Sequence, residues 1–183
     1  MPPITRELMH TRQITCQGYA RSDGLYDIEA RLQDITPLDT DMLFKQLRGG
    51  ESIHDMRIVM TIGADLVIHD IEARMEATPT VHCPEIAPSY AALKGLSIGP
   101  GFKRKARELV GDVKGCTHVT ELLGSLATTA MQTIFSVRRK AGLHWRALEG
   151  TGPLPKPALI GTCHAYRPDG ETVKVMWPLH RRA

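Results

Sequence analysis

The chain has 183 residues, a formal net charge of +3, 42% hydrophobic residues and 23% charged residues. This composition can bury a core and excludes a disordered or low-complexity protein. Its longest apolar runs fall far short of the ~20 residues that cross a bilayer. No basic start followed by an apolar stretch marks a secretory leader, so a cytoplasmic protein with no membrane partner is expected. So small a charge implies no nucleic-acid partner. The basic groups Lys103, Arg104, Lys105, Arg107 and Arg138, Arg139, Lys140 read as solvated helix faces, because no aromatic stacking residues are interleaved. Cys16, Cys83, Cys116 and Cys163 form no Cys-x-x-Cys pair and are expected as free thiols.

Period-two alternation opens the chain. Gln13 to Arg21 places Ile14, Cys16, Gly18 and Ala20 on one face. Ser22-Asp23-Gly24 is turn chemistry, and Leu25 to Asp34 returns with Tyr26, Ile28, Ala30 and Leu32 on the apolar side. A looser stretch holding Pro37 and Gly49-Gly50 predicts a short helix around Met42 to Leu47. A second hairpin follows, from Met56 to Ile62 and back from Leu66 to Met75. Ile58, Met60, Ile62, Val67, Ile71 and Ala73 face its core. His69 shares that parity and reads as structural.

After Pro84 the period changes. Ile86 to Leu93 and Phe102 to Val110 read as helices ended by Gly95 and Gly111. The main helix starts near Cys116 or Thr117 and reaches roughly Lys140, with an apolar stripe from Val119 through Leu122, Leu126, Met131 and Phe135. A Pro-rich loop and a last hairpin, about 158–178, close the chain. The order predicts one α+β domain over 1–183. Its strand meander spans about 11–76 and its helical part about 84–148. Four or more antiparallel strands pack against the long helix.

The densest chemistry is Gly115-Cys116-Thr117-His118-Val119-Thr120-Glu121. It puts a thiol, an imidazole and a carboxylate in the first turn of the longest helix. His118 and Glu121 share a face, which continues through Ser125, Thr128 and Gln132. That band has no lysine or arginine, and a lined cleft is expected along it. A helix N-terminus lowers the Cys116 thiol pKa and keeps His118 neutral, making His118 a candidate base with Glu121 orienting it. His54-Asp55 precedes the third strand on the parity of Ile58, so His54 and Asp55 join the catalytic candidates, with Cys116, Thr117 and Gln132 lining the cleft. Thr117 also suits a plain helix cap, and Cys116 a covalent nucleophile with His118 or His54 as base. A metal, if any, would draw on Cys83, Cys116 and His118, with His82 nearby, although the spacing matches no compact zinc module. Arg21, Asp27, Glu29, Arg31, Arg57, Asp70 and Glu72 form a mixed-charge set on the opposite sheet face. Gly99-Pro100-Gly101 lacks the strand-to-helix context of a dinucleotide fingerprint, and no phosphate-binding loop motif exists. No cofactor is expected.

The stretches GYARSDGLYDIEARLQD, HDMRIVMTI, CPEIAPSYAALKGLSIGPGF, GCTHVTELLGSLATTAMQTI and TCHAYRPDG, with Trp177-Pro178, resemble the bacterial domain-of-unknown-function family DUF2889. The resemblance runs from about Thr11 to Pro178 and is sharpest in GCTH-x-x-ELL. It implies aromatic-compound catabolism, by association with formaldehyde-releasing lyases that act on lignin-derived, phenylcoumaran-type substrates. In such a reaction His118 or His54 would take the proton of a primary alcohol. Tyr19, Tyr26 or Arg21 would stabilise the departing phenoxide. The expected partner is therefore a small aromatic substrate, with a homo-oligomer as a further possibility. A meander followed by a helix opening on Gly-Cys also looks like an iron–sulfur scaffold. A metal-binding scaffold or a non-catalytic small-molecule binder is thus the alternative to an acid–base enzyme.

Overall fold

The computed structural model describes residues 3–142 and 150–183. The chain divides into two compact units, Met1–Ile134 and Phe135–Ala183.

The first unit is α+β, as expected. Strands β1 (Thr11–Ala20), β2 (Tyr26–Ile35), β5 (Ser52–Ile62) and β6 (Ile68–Ala77) form an antiparallel sheet in the order β1-β2-β5-β6. The first hairpin turns where Gly24 takes φ +84° and where Asp23 Oδ1 accepts the Leu25 N–H at 3.2 Å, an arrangement that suits Asp and Gly. Ile28, Leu32, Met56, Ile58, Met60 and Ile62 point to one face and are buried. The opposite face carries the expected charges, with Arg31 paired to Asp55 and Arg74 to Glu72.

A 3-10 helix (Cys83–Leu93), α1 (Phe102–Val110) and α2 (Thr117–Lys140) follow the sheet. Val119, Leu122, Leu126 and Ala130 of α2 enter one core cluster with the sheet, Tyr90, Leu93 and Phe102. Met131, expected in that stripe, is 43% exposed. The helical part expected to about 148 reaches residues 143–149, which lie outside the described residues.

Local differences have physical causes. The segment Met42 to Leu47 is not a helix but a tight turn between the two-residue strands β3 (Thr40–Asp41) and β4 (Gln46–Leu47). Leu43 and Phe44 point outward and only Leu47 is buried, so no apolar face exists to hold a helix. On β6 the ladder shifts register between Thr61 and Ile62. A one-residue shift exchanges the faces, so Ile68 enters the core in place of Val67 and His69 is exposed.

In the second unit the expected hairpin at about 158–178 is absent. The turn at Arg167–Gly170 forms, with the Gly170 N–H on the Arg167 carbonyl at 2.9 Å, but its flanks coil. They make a 3-10 turn (His164–Tyr166) and α3 (Glu171–Met176). Glu171 complements the start of α3. Trp177 Nε1–H donates to the Leu154 carbonyl at 2.9 Å, and Leu154 bridges to Arg182, so the backbone groups of this segment are used without a hairpin.

Gly18 sets the fit of α2 on β1: a Cβ there would lie 1.8 Å from Thr133 Oγ1. Gly18→Ala should therefore lower stability by roughly 1–3 kcal/mol, read as a fall of several degrees in the thermal midpoint. Gly99→Ala, where nothing lies within 4 Å, should leave it unchanged.

Candidate functional site

The sheet's apolar face ends in charge. Parity along β2 runs Tyr26, Ile28, Ala30, Leu32, and the next residue on that side is Asp34, only 1% exposed. The register sets it between Arg12 of β1 and His54 of β5. Arg12 grips the carboxylate bidentately, with Nε to Oδ1 at 2.7 Å and Nη2 to Oδ2 at 2.8 Å. His10 Nε2 lies 3.1 Å from Oδ1, and His54 Nδ1 lies 3.0 Å from Oδ2. The Arg12 guanidinium, with help from His10, holds Asp34 at a pKa of about 2 against burial. The group is thus an ionised, acceptor-only carboxylate, so the ring nitrogens facing it carry protons. A neutral His54 is thereby fixed with its lone pair on Nε2.

The start of α2 brings the second imidazole. Gly115 lets the chain pass so close to Val110 that a Cβ would sit 2.0 Å from that carbonyl oxygen. The buried Tyr90 hydroxyl accepts the Cys116 N–H at 3.0 Å and lies 2.8 Å from Thr120 Oγ1, whose own proton goes to the Val110 carbonyl. So anchored, the helix stacks His118 on His54 with ring centroids 3.7 Å apart and planes at 29°. His118 Nε2 is 3.8 Å from Asp34 Oδ2, and its Nδ1 is 3.9 Å from Cys116 Sγ. Arg12 reaches on to Glu121, Nη1 to Oε2 at 2.8 Å, tying the helix to the same carboxylate. Burial lowers the pKa of both histidines. The proximity of His118 adds to the effect at His54, while Asp34 opposes it at both. The pair is therefore neutral at neutral pH.

His54 and His118 open onto a cleft of about 630 Å³, also lined by Met56, Pro79, Ile86 and Cys116. Thr117 and Cys83 line it too. Cys83 Sγ lies 3.3 Å from Thr80 Oγ1. Among the described residues, the group of three potential ligands that the fold brings within 4.8 Å is Asp34, His54 and His118, not Cys83, Cys116 and His118. The four cysteines are free.

The fold does not gather the remaining candidates. Asp55 points to the other sheet face, where it is held by Arg31. Glu121 orients Arg12 rather than His118. Arg21 and Tyr26 lie at the opposite end of the sheet: Arg21 pairs with Asp23 and Asp27, and Tyr26 sits beside Ile62. Tyr19 faces Asp27 at that same end. Along the expected polar band, Thr128 and Gln132 are exposed and only His118 borders this cleft. Asp34, Arg12 and His10 are the additions. An aspartate on the apolar parity of β2 was the available signal.

The chain belongs to the family described as "Protein of unknown function (DUF2889)", which matches residues 10–132. That span covers Asp34, His54 and His118 but not the second unit. Neither a curated protein nor a solved structure matches the chain significantly. Among the described residues, no helix is long and apolar enough to cross a membrane.

The charges give a pH signature. The folded state favours neutral His54 and His118, whereas the unfolded chain takes up protons near pH 6.5. Stability should thus be full above about pH 7 and decline as pH falls through 6.5. A second loss, on the order of 2 kcal/mol, should appear between about pH 4 and 2 as Asp34 protonates. Urea unfolding across this range checks both, and Asp34→Asn should shrink the lower step, leaving the part that Asp23, Asp55 and Asp70, also held below the usual carboxylate range by their partners, contribute.

Proposed function

We propose that this protein is a small-molecule enzyme working by acid–base chemistry. His54 is the base, Asp34 the positioning residue that fixes its tautomer, and His118 the second imidazole at the substrate. The observation that carries this reading is the 3.0 Å contact from Asp34 Oδ2 to His54 Nδ1. It holds the opposite nitrogen as a lone pair beside a cleft. A base needs a group to orient it and a pKa near or below the working pH, and burial supplies the second.

As substrate class we propose lignin-derived aromatic alcohols of the phenylcoumaran type, cleaved with release of formaldehyde. The family resemblance suggests this class. The cleft suits it, having an apolar wall of Met56, Pro79, Ile86 and Val113 beside two flat imidazoles. Its volume falls in the usual ~300–1,000 Å³ range of ligand pockets. In the proposed step His54 takes the hydroxyl proton of the primary alcohol. The oxygen electrons form the carbonyl of formaldehyde as the bond to the ring-bearing chain breaks. That electron pair becomes a new C=C bond, and the phenoxide on the adjacent carbon departs and is reprotonated. Electrons and atoms balance without an added oxidant. Cys116 and Thr117 would contact the substrate from the helix start. Tyr19, Arg21 and Tyr26 would have no part in stabilising the phenoxide.

Incubation with a phenylcoumaran alcohol should release one equivalent of formaldehyde per phenol formed. The rate should rise with pH up to a plateau near neutrality. His54→Ala should slow it by ~10²–10⁴-fold. No release beside an active control enzyme, or an undiminished rate in both His54→Ala and His118→Ala, would refute the reading.

A further inference from the structure

We propose that Asp34, His54 and His118 also form a binding site for one divalent first-row transition ion of the zinc, cobalt or nickel type. The inference goes beyond the catalytic reading and holds whatever the substrate is. One oxygen and two imidazole nitrogens converge here. Asp34 Oδ2 lies 3.0 Å from His54 Nδ1 and 3.8 Å from His118 Nε2, and the three ligand atoms lie within 4.8 Å of one another. Ligands bonded at ~2.0–2.2 Å in a tetrahedral site stand ~3.3–3.5 Å apart, so the ligand atoms need shift by only a few tenths of an ångström to about 1 Å, together with a reorientation of the two rings. Imidazole and carboxylate suit borderline divalent ions. Three protein ligands leave a fourth position open to the cleft, whose lining includes both histidines.

The outer contacts match what metal ligands need. Asp34 Oδ1 is held by Arg12 Nε and His10 Nε2 and Oδ2 by Arg12 Nη2, which fixes the carboxylate and leaves the second lone pair of Oδ2, the one that now faces His54, for the ion. The proton on His54 Nδ1 now stands where the ion would go. On loading, His54 changes tautomer, its proton moves to Nε2, and the ion replaces the hydrogen bond to Asp34 with two bonds. The lone pairs of both imidazoles lie in their ring planes. The stack of 29° must therefore fan open for one ion to meet both. With Nε2 protonated, His54 has no lone pair left for the substrate proton, so a loaded protein would be inhibited in the chemistry proposed above.

The test is titration of metal-free full-length protein with cobalt(II) and zinc at pH 7.5, by calorimetry and visible absorption. The expected result is one ion per chain with micromolar or tighter affinity. The cobalt spectrum should show d–d bands and no thiolate charge-transfer band, a readout that needs no variant. His118→Ala and His54→Ala should weaken binding by at least ~10-fold, while Cys83→Ser and Cys163→Ser should leave it unchanged. The proposal is overturned by absence of stoichiometric binding, by a thiolate band, or by loss on Cys83→Ser with binding retained in the histidine variants. Formaldehyde release by the metal-free protein is scored separately, so either idea can fail alone.

Discussion

A buried carboxylate organises this structure. Removing an ionised group from water costs several kcal/mol unless charge and hydrogen bonds compensate. Asp34 sits on the face that otherwise carries Ile28 and Leu32. Arg12 provides the compensation, with His10 and His54 completing the shell. The result is a joint between strands. Arg12 belongs to β1, Asp34 to β2 and His54 to β5, and Arg12 carries the connection to Glu121 of α2. Truncating one member would strand the others, so a polar cluster at the end of an apolar face becomes a rigid element rather than a defect.

Tyr90 does for the helix what Asp34 does for the sheet. Its buried hydroxyl engages Cys116 and Thr120, so orphan groups of the first turn of α2 are met by a fixed partner. The two anchors act from different sides on one pair of rings: Asp34 orients His54, and the pinned helix start delivers His118. Stacking then follows from where the backbone is held, and burial of the stack keeps both rings uncharged. A neutral imidazole with a defined tautomer is the form useful to proton transfer and to metal coordination alike, which is why one constellation supports both proposals.

Much of this was legible in the residues. Strict alternation gave the four long strands, the change of period after Pro84 gave the helices, and Gly-Cys-Thr-His marked the start of α2. His54 was visible through its parity with Ile58 and Met60. Asp34 was not singled out, because a lone aspartate at a strand end looks like a turn residue. Pairing with Arg12 across β1 and β2 and with His54 across β2 and β5 gives it a site. Parity states which face a side chain takes but not which end of the sheet it reaches. Tyr19, Arg21 and Tyr26 were therefore grouped with groups from which a whole strand length separates them. The shift at Thr61 and Ile62 goes with contacts far along the chain, where Ile68 exchanges backbone bonds with Gly95 and Leu96, and alternation alone carries no trace of them.

The most direct test of the account is ¹⁵N NMR of the imidazole nitrogens of His54 in the metal-free protein at pH 7.5. A neutral ring with its proton on Nδ1 and an unprotonated Nε2, converting to mixed tautomers in Asp34→Asn, is the predicted result. A proton resident on Nε2, or a doubly protonated ring at that pH, would contradict it.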